Sequence, residues 1–313
     1  MSLPDPSARA DPGAMAATDH APVHISADLV LTEEPPPGLN GVMHRDPAAW
    51  LRLSIATAAV AAVGSIVALL DIDRFYGAET EVFIPQAIAQ DAVNLAVVAP
   101  LMALFAWRAM RGSLASYLVW LGFVVFTVYN YVIYTFSIQF GPLFLLWVAV
   151  LGASLFALIG GAMSLDAQAV ANTLDFRKER LAAGFLLLTA VLFGFVWLSD
   201  IVPALMDGTA PVAATDVNLP TNPVHVLDLA FFLPAAAIVG GSLWQRRPLG
   251  YAAAPAMLVF MALTGLPIMA TVFVADVRGS EADWGLLAPI GVITVVSVVL
   301  TWTLVRRFRT PRA

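Results

Sequence analysis

Two pairs of polar residues stand out in an otherwise apolar chain. His225 and Asp228 lie three apart, and so do Asp91 and Asn94. That spacing puts both members of a pair on one face of a helix. Carboxylates and imidazoles in apolar helices are costly and face a bundle interior or a wet cavity. Such pairs hold a small solute or cation, relay a proton, or sit among lipid headgroups, where Asp228 also gains from a helix N-terminal dipole. Asn130, between Tyr129 and Tyr131, is placed to join them. The expectation is a ligand site of Asp91, Asn94, Asn130, His225 and Asp228, the two pairs facing a shared cavity. No catalytic residue is assigned. His225 with Asp228 resembles a base and its orienter, but no nucleophile or metal cluster accompanies them.

Pro100 and Pro234 follow the pairs by six residues. Each removes a helical hydrogen bond, to the carbonyls of Ala96 and Ala230, and so predicts a kink or hinge. Thr221-Asn222-Pro223 opens the helix of the second pair, with Asn222 as N-cap and Pro223 as first helical residue.

Much chemistry is excluded by what is missing. There is no cysteine, hence no thiolate metal site, Fe–S cluster or thiol relay. The lone lysine, Lys178, lies in the charged run Asp175-Phe176-Arg177-Lys178-Glu179-Arg180, so no lysine is buried for a Schiff base. His20, His24 and His44 lie near the N-terminus, which leaves His225 unable to form a bis-histidine haem site. No cofactor is expected, and the sequence assigns no metal. The run Asp71-Ile72-Asp73-Arg74-Phe75-Tyr76-Gly77 is a poor calcium loop, its glycine one place late.

The elements that must carry these residues are membrane helices. Of 313 residues, 60% are hydrophobic and 12% charged, with mean hydropathy +0.83 and pI 5.1. A soluble domain carries about 25% charged residues, so a soluble enzyme is excluded, and without a basic stripe so is nucleic-acid binding. Eight segments are long and apolar enough to span: 50–70, 88–109, 114–136, 142–163, 181–201, 223–244, 249–274 and 285–305. With both ends cytoplasmic, only Arg74 and Arg278 of the 16 Lys and Arg residues fall outside, as the positive-inside rule requires. Acids fill the outer loops. Either they remain because Lys and Arg are depleted there, the simpler account, or they form a vestibule that concentrates cations.

The organisation expected is a disordered, proline-rich cytoplasmic tail (1–46), a first four-helix repeat (47–165), a charged connector (166–180), a second four-helix repeat (181–305) and a basic end (306–313). Deleting residues 2–44 is accordingly expected to leave stability intact. Tryptophans near span ends, Trp50, Trp107, Trp197, Trp244 and Trp284, read as an interfacial belt. The fold class is an all-α polytopic bundle with a parallel 4+4 internal duplication. Asp91-Ala-Val-Asn94-Leu95-Ala96 and Pro100 fall without a gap on His225-Val-Leu-Asp228-Leu229-Ala230 and Pro234, and Tyr117 on Tyr251. Repeats of even span number share one orientation, related by an axis along the membrane normal.

The stretch Leu-Pro-Thr-Asn-Pro-Val-His-Val-Leu-Asp-Leu-Ala-Phe-Phe-Leu-Pro, 219–234, resembles a segment of uncharacterised bacterial multi-pass integral membrane proteins. The resemblance implies a layout and no activity. Two function classes follow: a small-solute or ion carrier or channel with a polar site between the repeats near the outer face, or a non-transporting scaffold, sensor or assembly factor. A lipid-active enzyme ranks third. The lipid bilayer is the one firm partner, with a small solute or cation as the expected ligand, and the cell membrane is the expected location.

Overall fold

A computed structural model describes residues 39–173 and 179–307. His20, His24, Lys178, most of the expected tail and the last residues of the basic end lie outside them. Eight helices of 21 to 31 residues are long and apolar enough to cross a bilayer: Ala48–Leu70, Phe83–Met110, Leu114–Ser137, Phe144–Ser164, Glu179–Asp207, Pro223–Trp244, Pro248–Arg278 and Trp284–Val305. These are the first to eighth spans below. The protein is an integral membrane helix bundle.

Helix ends fall where local chemistry puts them. Ser113 caps the third span, its hydroxyl accepting from the Ser116 N–H. Asn222 caps the sixth, accepting from the N–H groups of Val224 and His225, with Pro223 following. Gly279, at φ 72°, ends the seventh in the left-handed conformation that a side chain would oppose. The second, fifth and seventh spans extend past the expected boundaries on the face that carries the acidic loops. Asp91 therefore lies eight residues into its helix, about 12 Å at 1.5 Å per residue, deeper than the sequence suggests.

In the first half, the first span packs on the second and fourth, and the third on the same two. In the second half, fifth packs on sixth, sixth on seventh and seventh on eighth. An ion pair of 3.7 Å between Arg307 Nη1 and Glu179 Oε1 ties the eighth span to the start of the fifth. The halves meet along the third and seventh spans, with the second also against the seventh. These central helices bury residues on almost every side, Leu118, Trp120, Phe126, Leu258 and Phe260 among them, the pattern of a helix wrapped by others rather than by lipid.

Two π-helical turns interrupt the second and sixth spans. They cover Asn94–Val98 and Asp228–Phe232, and the N–H groups of Ala99 and Leu233 reach back to the carbonyls of Asn94 and Asp228. Each ends two residues before the expected kink site, Pro100 or Pro234. A helix that must lose a donor to proline adjusts in this way, with wider hydrogen bonds taking up the slack.

Residues 39–46, expected within a disordered tail, are instead folded onto the end of the bundle that carries the basic turns. Leu39–Val42 forms a 3₁₀ turn in which Leu39 and Val42 are buried. The Leu39 N–H donates to the Gly112 carbonyl (3.1 Å), the His44 N–H to Ser164 (2.8 Å) and the Asp166 N–H to Val42 (2.8 Å). The connector starts on this anchor, as a helix Ala167–Asn172 capped by Asp166. Deleting residues 2–44 should therefore lower the thermal unfolding midpoint, because burying two aliphatic side chains is worth up to about 3–5 kcal/mol. Replacing Leu39 and Val42 together by serine in the full chain should reproduce the loss. Unchanged midpoints in both proteins would show that the segment adds nothing to the fold.

Candidate functional site

Asp91 sits at 1% exposure with three hydroxyls turned on it. Ser65 of the first span donates to Oδ1 at 2.8 Å and Tyr134 of the third to the same oxygen at 3.0 Å. Tyr76 donates to Oδ2. Tyr76 comes from the short helix Ile72–Tyr76, capped by Asp71, so the supposed calcium loop is a device that inserts a phenol into the bundle. Burial first, then the neighbouring Asp91 charge, holds the Tyr76 hydroxyl far above the usual phenol range. It stays protonated and remains a donor.

Asp228 has its own partners. Tyr129 of the third span donates to Oδ1 (3.0 Å) and Trp197 Nε1 of the fifth to Oδ2 (2.8 Å). Trp197 is thus not a headgroup anchor, as its position near a span end suggests, but a donor to a buried carboxylate. His225 packs its ring on Trp197, centroids 4.8 Å apart, and its Nε2 lies 4.0 Å from Asp200 Oδ2. Asn94 accepts from Gln90 Nε2 (3.0 Å) while its own Nδ2 is buried without a partner.

The two pairs therefore do not share a cavity. Each carboxylate is held within its own neighbourhood by a donor from the first or fifth span and a tyrosine of the third. What lies between the halves is a cavity of about 760 Å³. Its walls come from the start of the second span (Pro85, Gln86, Gln90), the third (Phe126, Tyr129, Asn130, Tyr134), the start of the sixth (Asn222, Val224) and the seventh (Thr264, Ile268, Thr271). Of the five expected site residues only Asn130 lines it. Asn130 is 3% exposed and its Nδ2 has no hydrogen-bond partner. Tyr129 and Tyr134 line the cavity too, so each buried carboxylate touches it at one remove, through a phenol.

The cavity opens between acidic loops. Glu81, Glu281 and Asp283 stand at its mouth, and no Lys, Arg or His is among its lining residues. Nearby, Glu79 accepts from the Gln139 N–H at 2.7 Å, which joins two loops of this face. Burial pushes the Glu79 carboxyl up from its ordinary value, and the Gln139 bond partly offsets this.

At the other end the cavity reaches Phe126 and Thr264 and goes no further. One turn beyond Phe126, the third and seventh spans touch. A Cβ on Gly122 would come within 2.5 Å of Val259 Cβ and 2.7 Å of the Ala256 carbonyl oxygen. The cavity is a dead end at half depth.

Compared with family models, with curated proteins and with solved structures, the chain matches nothing. The site must be read from its own geometry. Among the described residues no three His, Asp or Glu side chains converge as a metal site would require. Sequence reading missed Ser65, Tyr76, Tyr129, Tyr134 and Trp197 as carboxylate partners. Its available signal was three tyrosines in six residues of the third span, Tyr129, Tyr131 and Tyr134, with Asn130 among them.

Proposed function

We propose that the protein is a carrier or channel for a small solute or ion, and that the cavity between the third and seventh spans is its binding site. The observation that carries this reading is a cavity of ligand size, open on the acidic face and sealed at half depth by helix contact at Gly122. That is the shape of one end state of alternating access, in which two halves rock about a central site. We place the acidic face outside and both chain ends in the cytoplasm of a cell membrane, because Arg74 and Arg278 alone among the basic residues of the described segments fall on that face.

A 4+4 duplication belongs to the same proposal. The offset that puts Asn94 on Asp228 also puts one π turn on the other, residue for residue. It puts Phe126 on Phe260, whose rings pair at 6.3 Å between centroids, and Gly122 on Ala256, which touch. Contact between equivalent positions is the signature of a two-fold axis. Asn130 and Thr264, equivalent again, face the cavity from opposite walls.

The absence of cysteine allows a direct test. A cysteine replacing Thr264 should react with an impermeant thiol reagent from the acidic face. A cysteine replacing Ala256, below the seal, should react from the basic face only during turnover. If neither position ever reacts, the interior is dry. The second reading, a non-transporting scaffold or sensor, would then stand, and the full internal hydrogen bonding of Asp91 favours it.

A further inference from the structure

Resting on that reading of the cavity, we infer that its ligand is an organic monocation: an amine at the mouth, an apolar body, and an oxygen acceptor at the inner end. Three features lead to this. The mouth carries Glu81, Glu281 and Asp283, all exposed, and among the described residues no basic side chain lies within ion-pair distance of them. They come from both halves of the bundle, so the negative potential converges on the opening, where a cleft with low-dielectric walls focuses it. Asp283 spends one oxygen on the Gly285 N–H, at 3.0 Å.

Deeper in, carboxylates stop. The walls between mouth and floor carry no charge: they are apolar side chains such as Ile133, Ile268 and Val272, hydroxyls, and the amides of Gln86 and Gln90. An inorganic cation would find no carboxylate there to offset its dehydration, whereas an alkyl or aryl body gains from leaving water. At the inner end waits Asn130, buried, lining the cavity, with an amide N–H₂ that nothing in the protein accepts. A buried donor without a partner is costly, and a turn of the amide toward the cavity would let a ligand oxygen satisfy it. Thr264 opposite does not accept from it; its hydroxyl donates to the Phe260 carbonyl at 2.9 Å.

The test uses full-length protein in lipid nanodiscs and four probes. Three share a body and an ether oxygen and differ in charge: 4-methoxyphenethylamine, its N-acetyl derivative, and 3-(4-methoxyphenyl)propionate. The fourth, phenethylamine, lacks the ether. The amine should bind at least about tenfold more tightly than its neutral or anionic counterpart, and raising NaCl from about 0.02 to about 0.5 M should shrink that margin. Combining Glu81→Gln, Glu281→Gln and Asp283→Asn should bring the three charge forms near parity without moving the unfolding midpoint, since the side chains are exposed. Asn130→Leu should abolish the advantage of the methoxy amine over phenethylamine. Equal binding of the three charge forms, a preference untouched by the triple variant, competition by Na⁺ or Ca²⁺ alone, or no binding of any probe would overturn the inference. Reaction of the cysteine at position 264 reports separately whether the cavity is open. An open cavity without amine preference defeats this inference and leaves the carrier reading in place.

Discussion

Asp91→Ala should be the most destabilising truncation of a polar side chain in the bundle. It strips the common acceptor from Ser65, Tyr76 and Tyr134 at a site with 1% exposure. Three buried hydroxyls without partners, at about 1–3 kcal/mol each, imply a loss of about 3–5 kcal/mol after some relaxation. Asp91→Asn keeps one acceptor oxygen but turns an N–H₂ on a hydroxyl, and should fall between that variant and the parent. Asp228→Ala frees only Tyr129 and Trp197 and should cost roughly half as much. Thermal unfolding in micelles, followed by tryptophan fluorescence, orders the series. An Asp91→Ala protein that melts with the parent would mean that the three hydroxyls find other acceptors, and that the cluster is not what anchors Tyr76.

The second large effect is expected at Gly122. Any side chain there meets Val259 and the Ala256 carbonyl, and the carbonyl is backbone that cannot turn aside. Gly122→Ala should cost about 1–3 kcal/mol as overpacking, and Gly122→Leu should prevent assembly of the two halves. Gly152 and Gly241 serve as controls, because an added Cβ meets nothing within 4 Å at either. Alanine at those helical positions should be neutral or stabilising by up to about 1 kcal/mol. If Gly122→Ala matches Gly152→Ala in melting temperature, the seal below the cavity is looser than its geometry implies. In the alanine variant the cysteine at Ala256 should also lose its protection in the resting state, since the same contact closes the path.

Span existence was legible because twenty-residue apolar runs have few other meanings, and the Asn222-Pro223 start because capping is local chemistry. The polar network was not. Asp91 and Asp228 announced themselves by type, but their partners arrive from other helices and from a loop, and nothing in the order of residues says that Tyr76 folds inward or that Trp197 turns away from the headgroups. The Leu39–Val42 turn was lost for a related reason. Two aliphatic residues in a polar, proline-rich stretch carry no periodicity, and their burial depends on a groove beside Gly112 and Ser164 that only tertiary structure makes. The shared-cavity expectation failed through the third span. Its tyrosines stand between the two carboxylates and take one each.

The π turns also fix a phase. Buried positions of the sixth span run His225, Asp228, then Leu233, Ala236, Val239, Gly240 and Leu243, with a step of five after Asp228 where an α-helix allows three or four. In the second span Val98 and Ala99 are both buried after Asn94, at steps of four and five. One extra residue turns everything beyond it by about 100°. Each of these spans is therefore two screws of different setting joined end to end: the upper one aims its acid at hydroxyl and indole donors, the lower one aims small and aliphatic residues at neighbouring helices. A straight α-helix of the same sequence could satisfy one of those faces and would turn the other into lipid.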